Sequence, residues 1–157
     1  MSDGKFAEKA VYKILIEAPI DHVWSELIKT DEVLPFFFGA ICRLPDGHKV
    51  GAPMAMETPN GKYRSVVGKV LEFDPPHRYA HTLKFTHLEE EPCTIIYDLK
   101  EVEGGVEFTL TTKNVPISGK TGKSLVQGGP FITKTLKSLA ETGRPHFGAR
   151  MMLAMIG

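Results

Sequence analysis

Downstream of Gly39 the chain alternates apolar and polar residues through six successive stretches. Each has the length and period of two of a half-buried β-strand, and turn-forming sequences such as Pro59-Asn60-Gly61 and Gly104-Gly105 separate them. Because parallel strands need crossovers of about a dozen residues, strands joined this closely must be antiparallel. The stretches are 39–44, 52–58, 63–73, 78–87, 92–101 and 105–114, and a strand at 10–18 makes seven.

Three segments have helical spacing. A helix is predicted over 19–28 because Pro19 suits a first turn and apolar residues then recur on one face. A second short helix is predicted over 30–37. Residues 115–127 are polar and rich in glycine and serine, which indicates a loop or a frayed helix start. Pro130 then predicts the start of one long helix, which Gly143 ends. This order predicts an α+β fold in which the long helix packs on one face of a curved antiparallel sheet.

Length and charge exclude several classes of protein. A chain of 157 residues fits one domain, covering 1–157. Its 19 Lys+Arg balance its 19 Asp+Glu, which argues against a general nucleic-acid binder and against an acidic disordered chain. The sequence also lacks both a secretory signal and an apolar run of the ~20 residues that a membrane span requires. Cys42 and Cys93 are too few for a disulfide framework and predict reduced thiols in a cytoplasmic protein.

The strand faces predict a ligand cavity between the sheet and the long helix. On each strand one face is apolar and aromatic, and the helix presents an apolar stripe to it. A helix of 14 residues is about 21 Å long, so it crosses a sheet without filling a strongly curved one, and the gap would be a typical ligand site. The predicted ligand-binding residues are Phe37, Met54, Met56, His81, Leu83, Phe85, Tyr97, Phe108, Leu110, Ile132 and Leu136.

Motifs of metal sites and of covalent catalysis are missing from the sequence. None of the six histidines stands in a metal-binding spacing such as HExxH. His81 and His87 lie six residues apart on one strand, about 20 Å, which is too far to share a metal. There is no GxSxG nucleophile motif, and neither cysteine has a signalled base partner. We therefore predict no catalytic residue, no metal and no cofactor, and the balance favours a binding protein over an enzyme.

Four stretches resemble one known family. The chain resembles the START-like, helix-grip superfamily, also called SRPBCC or polyketide-cyclase-like, and within it the branch named after the activator of the heat-shock protein 90 ATPase. That resemblance implies a sheet wrapped around a long C-terminal helix. At Gly129-Pro130 the chain departs from the family, which usually has glycine followed by a bulky residue. The matching stretches are IEAPIDHVWSELI, DGHKVGAPMAME, GKVLEFDPPHRYAHTLKF and GGPFITKTLKSLAETG.

Three functions are compatible with this resemblance. The first is binding of a small hydrophobic or amphipathic molecule in the cavity. The second is a cyclase-like or hydrolase-like enzyme that uses His81 or Tyr97 as an acid, a base or an orienting group, which requires His81 to face a cavity connected to solvent. The third is a co-chaperone that activates a chaperone ATPase, as the family name implies.

The C-terminal tail is the least explained segment of the sequence. Residues 146–157 include three methionines, two of them adjacent, with Leu153 and Ile156, and such a segment is too apolar to extend into water. Packing within the chain, a homodimer contact and a membrane contact are the three interpretations of this tail.

Overall fold

The computed structural model describes residues 6–116 and 120–144. Its helices are α1 (Ile20–Leu27) and α2 (Lys120–Thr142), and a 3₁₀ turn lies at Pro35–Phe37. The predicted tail at 146–157 lies outside the described residues. The strands are β1 (Phe6–Ile16), β2 (Val33–Leu34), β3 (Ala40–Arg43), β4 (Pro53–Glu57), β5 (Arg64–Asp74), β6 (Arg78–Phe85), β7 (Cys93–Val102) and β8 (Gly105–Pro116).

All eight strands form one antiparallel sheet in the order β1-β8-β7-β6-β5-β4-β3-β2. The sheet curls around α2, so the predicted α+β helix-grip fold is confirmed, with one strand more than the seven predicted. The register aligns Tyr79, Tyr97, Leu110 and Tyr12 across four neighbouring strands. Because directly paired residues share a face, this row forms the inner surface on which the helix packs.

The strand that was not predicted, β2, and the 3₁₀ turn that follows it replace the second short helix that was predicted over 30–37. Pro35 begins the 3₁₀ turn, and a residue that precedes proline is restricted to extended conformations. Leu34 accordingly has φ −102° and ψ 99°, and it pairs with Ala40 on β3. The prediction was wrong because the apolar spacing of this segment is also satisfied by a two-residue strand followed by a tight turn.

Helix α2 begins ten residues before Pro130, and residues 120–127, for which a loop or a frayed helix start was predicted, are helical. A tertiary contact explains the difference. The Glu90 carboxylate, from the connection between β6 and β7, accepts hydrogen bonds from the backbone N–H groups of Lys120 and Thr121, at 3.0 and 3.1 Å. It thereby satisfies two of the four donors that a helix start leaves free. Pro130 lies inside the helix, where it lacks the N–H that would bond the carbonyl four residues earlier.

Two glycines allow α2 to approach the rest of the fold closely. A Cβ atom at Gly128 would lie 2.9 Å from the ring of Phe38, and one at Gly129 would lie 2.6 Å from the ring of Tyr12. At its other end the helix is tied to β1, since Lys137 donates a hydrogen bond to the Leu15 carbonyl at 2.7 Å. These contacts set how far each half of α2 stands from the sheet.

Candidate functional site

A cavity of about 540 Å³, partly open to solvent, lies between the N-terminal half of α2 and one end of the sheet. The wall is mostly apolar and includes four phenylalanines. Polar groups come from the ends of β4 and β5 and from the helix. The lining residues are Phe37, Phe38, Ala40, Glu57, Thr58, Pro59, Ser65, Val66, Phe85, Ser124, Leu125, Gly128, Phe131 and Ile132.

The 3₁₀ turn builds one aromatic wall of this cavity. Phe38 follows the turn in the left-handed conformation, with φ 58°, a backbone state that a bulky residue rarely adopts. This conformation directs its ring onto α2, where it stacks on Phe131 with ring centroids 4.6 Å apart and planes 12° from parallel. The absence of a side chain at Gly128 leaves room for that ring.

The polar groups of the cavity are mainly hydrogen-bond acceptors. Glu57 Oε1 accepts a hydrogen bond from Arg43 Nε at 2.9 Å. The Ser65 hydroxyl donates to the Met56 carbonyl at 3.4 Å, and the Thr58 hydroxyl donates to Asn60 Oδ1 at 2.7 Å. The hydroxyl protons of Ser65 and Thr58 are therefore already committed to protein acceptors.

His81 lies in a different place, within the sealed core. It is fully buried, its Nδ1 lies 2.8 Å from the Thr82 carbonyl and its Nε2 lies 2.9 Å from the Tyr97 hydroxyl. Since a carbonyl can only accept, Nδ1 carries the proton and Nε2 accepts from Tyr97. Burial lowers the pKa of His81 to about 4 and raises the pKa of Tyr97. Both side chains are neutral, and the hydrogen bond between them pairs the Tyr97 hydroxyl proton with His81 Nε2.

The two cysteines are also buried. Both are free thiols, and burial raises the pKa of each to about 11. Because the thiolate is the reactive form of cysteine, both side chains behave as small apolar groups in this fold.

The structure divides the eleven predicted ligand-binding residues into three groups. Phe37, Phe85 and Ile132 line the large cavity. Met56, His81, Tyr97 and Leu110 line two small voids of about 10 Å³ each, at which Phe37 and Ile132 are also found. The remaining four pack in the buried core; they are Met54, Leu83, Phe108 and Leu136.

The sequence analysis missed most of the cavity wall, including Phe38, Glu57, Ser65 and Phe131. Strand alternation predicted that Glu57 lies on the outer face of the sheet, because Glu57 directly follows Met56, which faces inward. A register shift between these two residues marks a β-bulge or irregularity, and such features re-aim side chains. Phe131 lies within the predicted long helix, but the length of α2 determines what the apolar stripe of that helix covers.

The described residues form neither a metal-binding cluster nor a membrane-spanning helix. Within residues 6–116 and 120–144, no three or more His, Cys, Asp or Glu side chains come together as a metal site would require. Among the described helices, none has the length and apolar character needed to cross a bilayer.

The curled sheet, the gripping helix and the cavity between them define a START-like, helix-grip domain. The chain belongs to the family described as "Activator of Hsp90 ATPase homolog 1-like protein", whose model matches residues 17–141. No protein with a curated function matches the sequence.

Solved structures similar to this chain share its fold at low sequence identity. An HSP90 activator from Plasmodium falciparum is 19% identical, with a TM-score of 0.66 over 88% of this chain and 99% of that one. A protein from Mesorhizobium loti is 16% identical, with a TM-score of 0.69 over 84% and 96%. A protein from Micromonospora echinospora is 14% identical, with a TM-score of 0.59 over 94% and 82%. At such identities the similarity is one of fold.

Proposed function

We propose that this protein binds a small, largely apolar molecule in the cavity beneath the N-terminal half of α2. The observation that carries the proposal is the cavity itself, whose volume of about 540 Å³ falls within the range of about 300–1,000 Å³ typical of small-molecule sites. The cavity is partly open to solvent, so its largely apolar wall faces water, and removing apolar surface from water is favourable. A bound apolar ligand covers this wall. The START-like fold often holds hydrophobic ligands, which supports the same interpretation.

Filling the cavity from α2 should abolish much of this binding. Ser124 is exposed and lines the cavity, so the indole of Ser124→Trp would occupy the ligand's space. The matched control is Val126→Trp, because Val126 lies on the same helix, is 66% exposed and belongs to no part of the cavity wall described above. With the neutral fluorescent probe N-phenyl-1-naphthylamine, we expect one saturable site whose Kd is weakened about tenfold by Ser124→Trp and unchanged by Val126→Trp.

Two results would contradict the proposal. One is a probe signal that rises without saturation in the unmodified protein, which indicates nonspecific surface adsorption. The other is an equal loss of affinity in both tryptophan variants, which places the site elsewhere. Circular dichroism of each variant shows whether α2 is intact.

The enzyme alternative gains no support from the position of His81. The acid–base role required a histidine facing a cavity connected to solvent, and His81 is fully buried with both ring nitrogens hydrogen-bonded. The co-chaperone alternative has one specific observation in its favour, namely the family description together with the Plasmodium neighbour. Stimulation of a chaperone ATPase by the purified protein would support this second candidate, and its absence would dismiss it.

A further inference from the structure

We propose that the cavity selects amphipathic molecules whose polar end donates hydrogen bonds. Glu57 makes this selection: it favours a primary ammonium over a hydroxyl, and it repels a carboxylate. This inference rests on the proposed ligand-binding function and specifies the chemical class of the ligand. Three features of the polar end of the cavity carry it: the position of Glu57, the commitment of neighbouring hydroxyl protons, and the charge of the wall.

Glu57 is held at the cavity by the backbone and by one arginine. It ends β4 at the register shift after Met56, and its side chain is only 16% exposed. Arg43 Nε binds Oε1 at 2.9 Å, whereas the cation near Oε2 is Arg64 Nε at 3.9 Å, beyond hydrogen-bond length. Oε1 is therefore held by Arg43, and Oε2 can still accept a hydrogen bond from a ligand.

The neighbouring hydroxyls reinforce this preference. The Thr58 hydroxyl donates to Asn60 Oδ1 and accepts from the Tyr63 N–H, and the Ser65 hydroxyl donates to Met56 O in a long contact of 3.4 Å. Towards a ligand each hydroxyl therefore offers at least one acceptor lone pair. A ligand that can only accept would leave these groups unpaired after they lose water, which costs free energy. A ligand that donates satisfies both these hydroxyls and Glu57.

The charge of the cavity wall also favours a ligand that donates hydrogen bonds over a carboxylate. Among the described lining residues Glu57 is the one that carries a formal charge. Two arginines lie beside it. Arg43 also binds Asp31, at 2.8 Å, so its charge is shared between two carboxylates, and Arg64, 3.9 Å from Oε2, is 62% exposed, so solvent screens its charge. A carboxylate ligand would place like charges together beside apolar walls, where their repulsion is weakly screened. An ammonium in that position forms a charge-assisted hydrogen bond.

Three ligands of equal shape test the inference by isothermal titration calorimetry at pH 7. They are 4-phenylbutylamine, 4-phenylbutan-1-ol and 4-phenylbutyrate, whose phenyl rings suit the aromatic wall. We expect affinity to fall in the order amine, alcohol, carboxylate, with the amine about tenfold or more tighter than the carboxylate. In Glu57→Gln the ratio of the amine and carboxylate Kd values should fall to within about twofold of one. The ratio is measured within each variant, so a general loss of affinity cancels.

The matched control is Glu72→Gln. Glu72 on β5 also pairs with an arginine, since Arg78 Nε donates to its Oε1 at 3.1 Å, and it is absent from the cavity wall described here. The Glu72→Gln variant should bind all three ligands with unchanged affinity. Ser65→Ala is a second variant, independent of the Arg43 ion pair, and should weaken the amine more than the carboxylate.

The outcomes separate this inference from the function on which it rests. If N-phenyl-1-naphthylamine and the alcohol bind but the carboxylate binds as tightly as the amine, Glu57 does not select and the inference is overturned while the ligand-binding function stands. If neither the probe nor any of the three ligands binds, both fail. If Glu57→Gln keeps the full tenfold ratio, the selection comes from another residue and the role of Glu57 is wrong.

Discussion

At pH 5 the protein should be about 2 kcal/mol less stable to unfolding than at pH 7 through His81 alone. Burial lowers the pKa of this histidine to about 4 in the folded protein, against about 6.5 for an exposed imidazole. Urea unfolding at pH 5, 6 and 7 measures the difference. The folded structure explains the low pKa, because the imidazole is fully buried and burial disfavours its charged form.

The direction follows from proton binding. Between pH 6.5 and pH 4 the unfolded chain binds a proton at His81 that the folded chain does not, so the free energy of unfolding falls as the pH is lowered. The loss begins near pH 6.5 and is complete below pH 4. Glu90 and Glu141, whose carboxyl pKa values are lowered, lose their stabilisation in a more acidic range. The interval from pH 7 to pH 5 therefore reports chiefly on histidines.

A double variant isolates the contribution of His81. His81→Leu with Tyr97→Phe replaces both hydrogen-bonding partners by apolar groups, which is tolerated better than leaving one unpaired. Its stability should change by less than about 1 kcal/mol between pH 7 and pH 5. His48, whose pKa is also lowered by burial, supplies a residual slope of the same sign. His87→Gln is the control, because His87 is exposed. A double variant with the full pH dependence would refute the assignment.

Strand alternation and turn sequences predicted seven of the eight strands of the sheet, because both signals are local. The stretch predicted at 92–101 corresponds to Cys93–Val102, and that at 63–73 to Arg64–Asp74. The start of α2 was not predictable in the same way. It depends on the Glu90 carboxylate, which is 30 residues away in sequence and is brought to the helix by the connection between β6 and β7.

The cavity follows from the same nonlocal contacts. Alternation correctly assigned His81 and Phe108 to the inner face, but an inner face contains both core and cavity. Which residues border empty space depends on the length of α2 and on its close approach at Gly128 and Gly129. The irregularity at Glu57 cannot be read from alternation, since it breaks that pattern.

Phe108→Ala should mainly lower stability and Phe85→Ala should mainly weaken binding, although both residues were predicted to bind ligand. Phe108 is fully buried and its ring centroid lies 6.4 Å from that of Tyr97. Its truncation leaves an internal cavity and should cost about 4 kcal/mol of unfolding free energy. Phe85 is half-buried and lines the large cavity, so its truncation should cost about 1 kcal/mol and weaken N-phenyl-1-naphthylamine binding about fivefold.

The two measurements are urea unfolding and probe titration on each variant. Phe108→Ala removes a large share of the stability of a typical domain, so Phe108→Leu is measured as a second, milder variant. The leucine keeps most of the volume and should cost about 1 kcal/mol with probe affinity unchanged. If Phe108→Leu weakens the probe as strongly as Phe85→Ala does, the ligand reaches the deep core. The binding site would then extend from the open cavity along the row of Tyr79, Tyr97 and Leu110, and α2 would have to move away from the sheet to admit it.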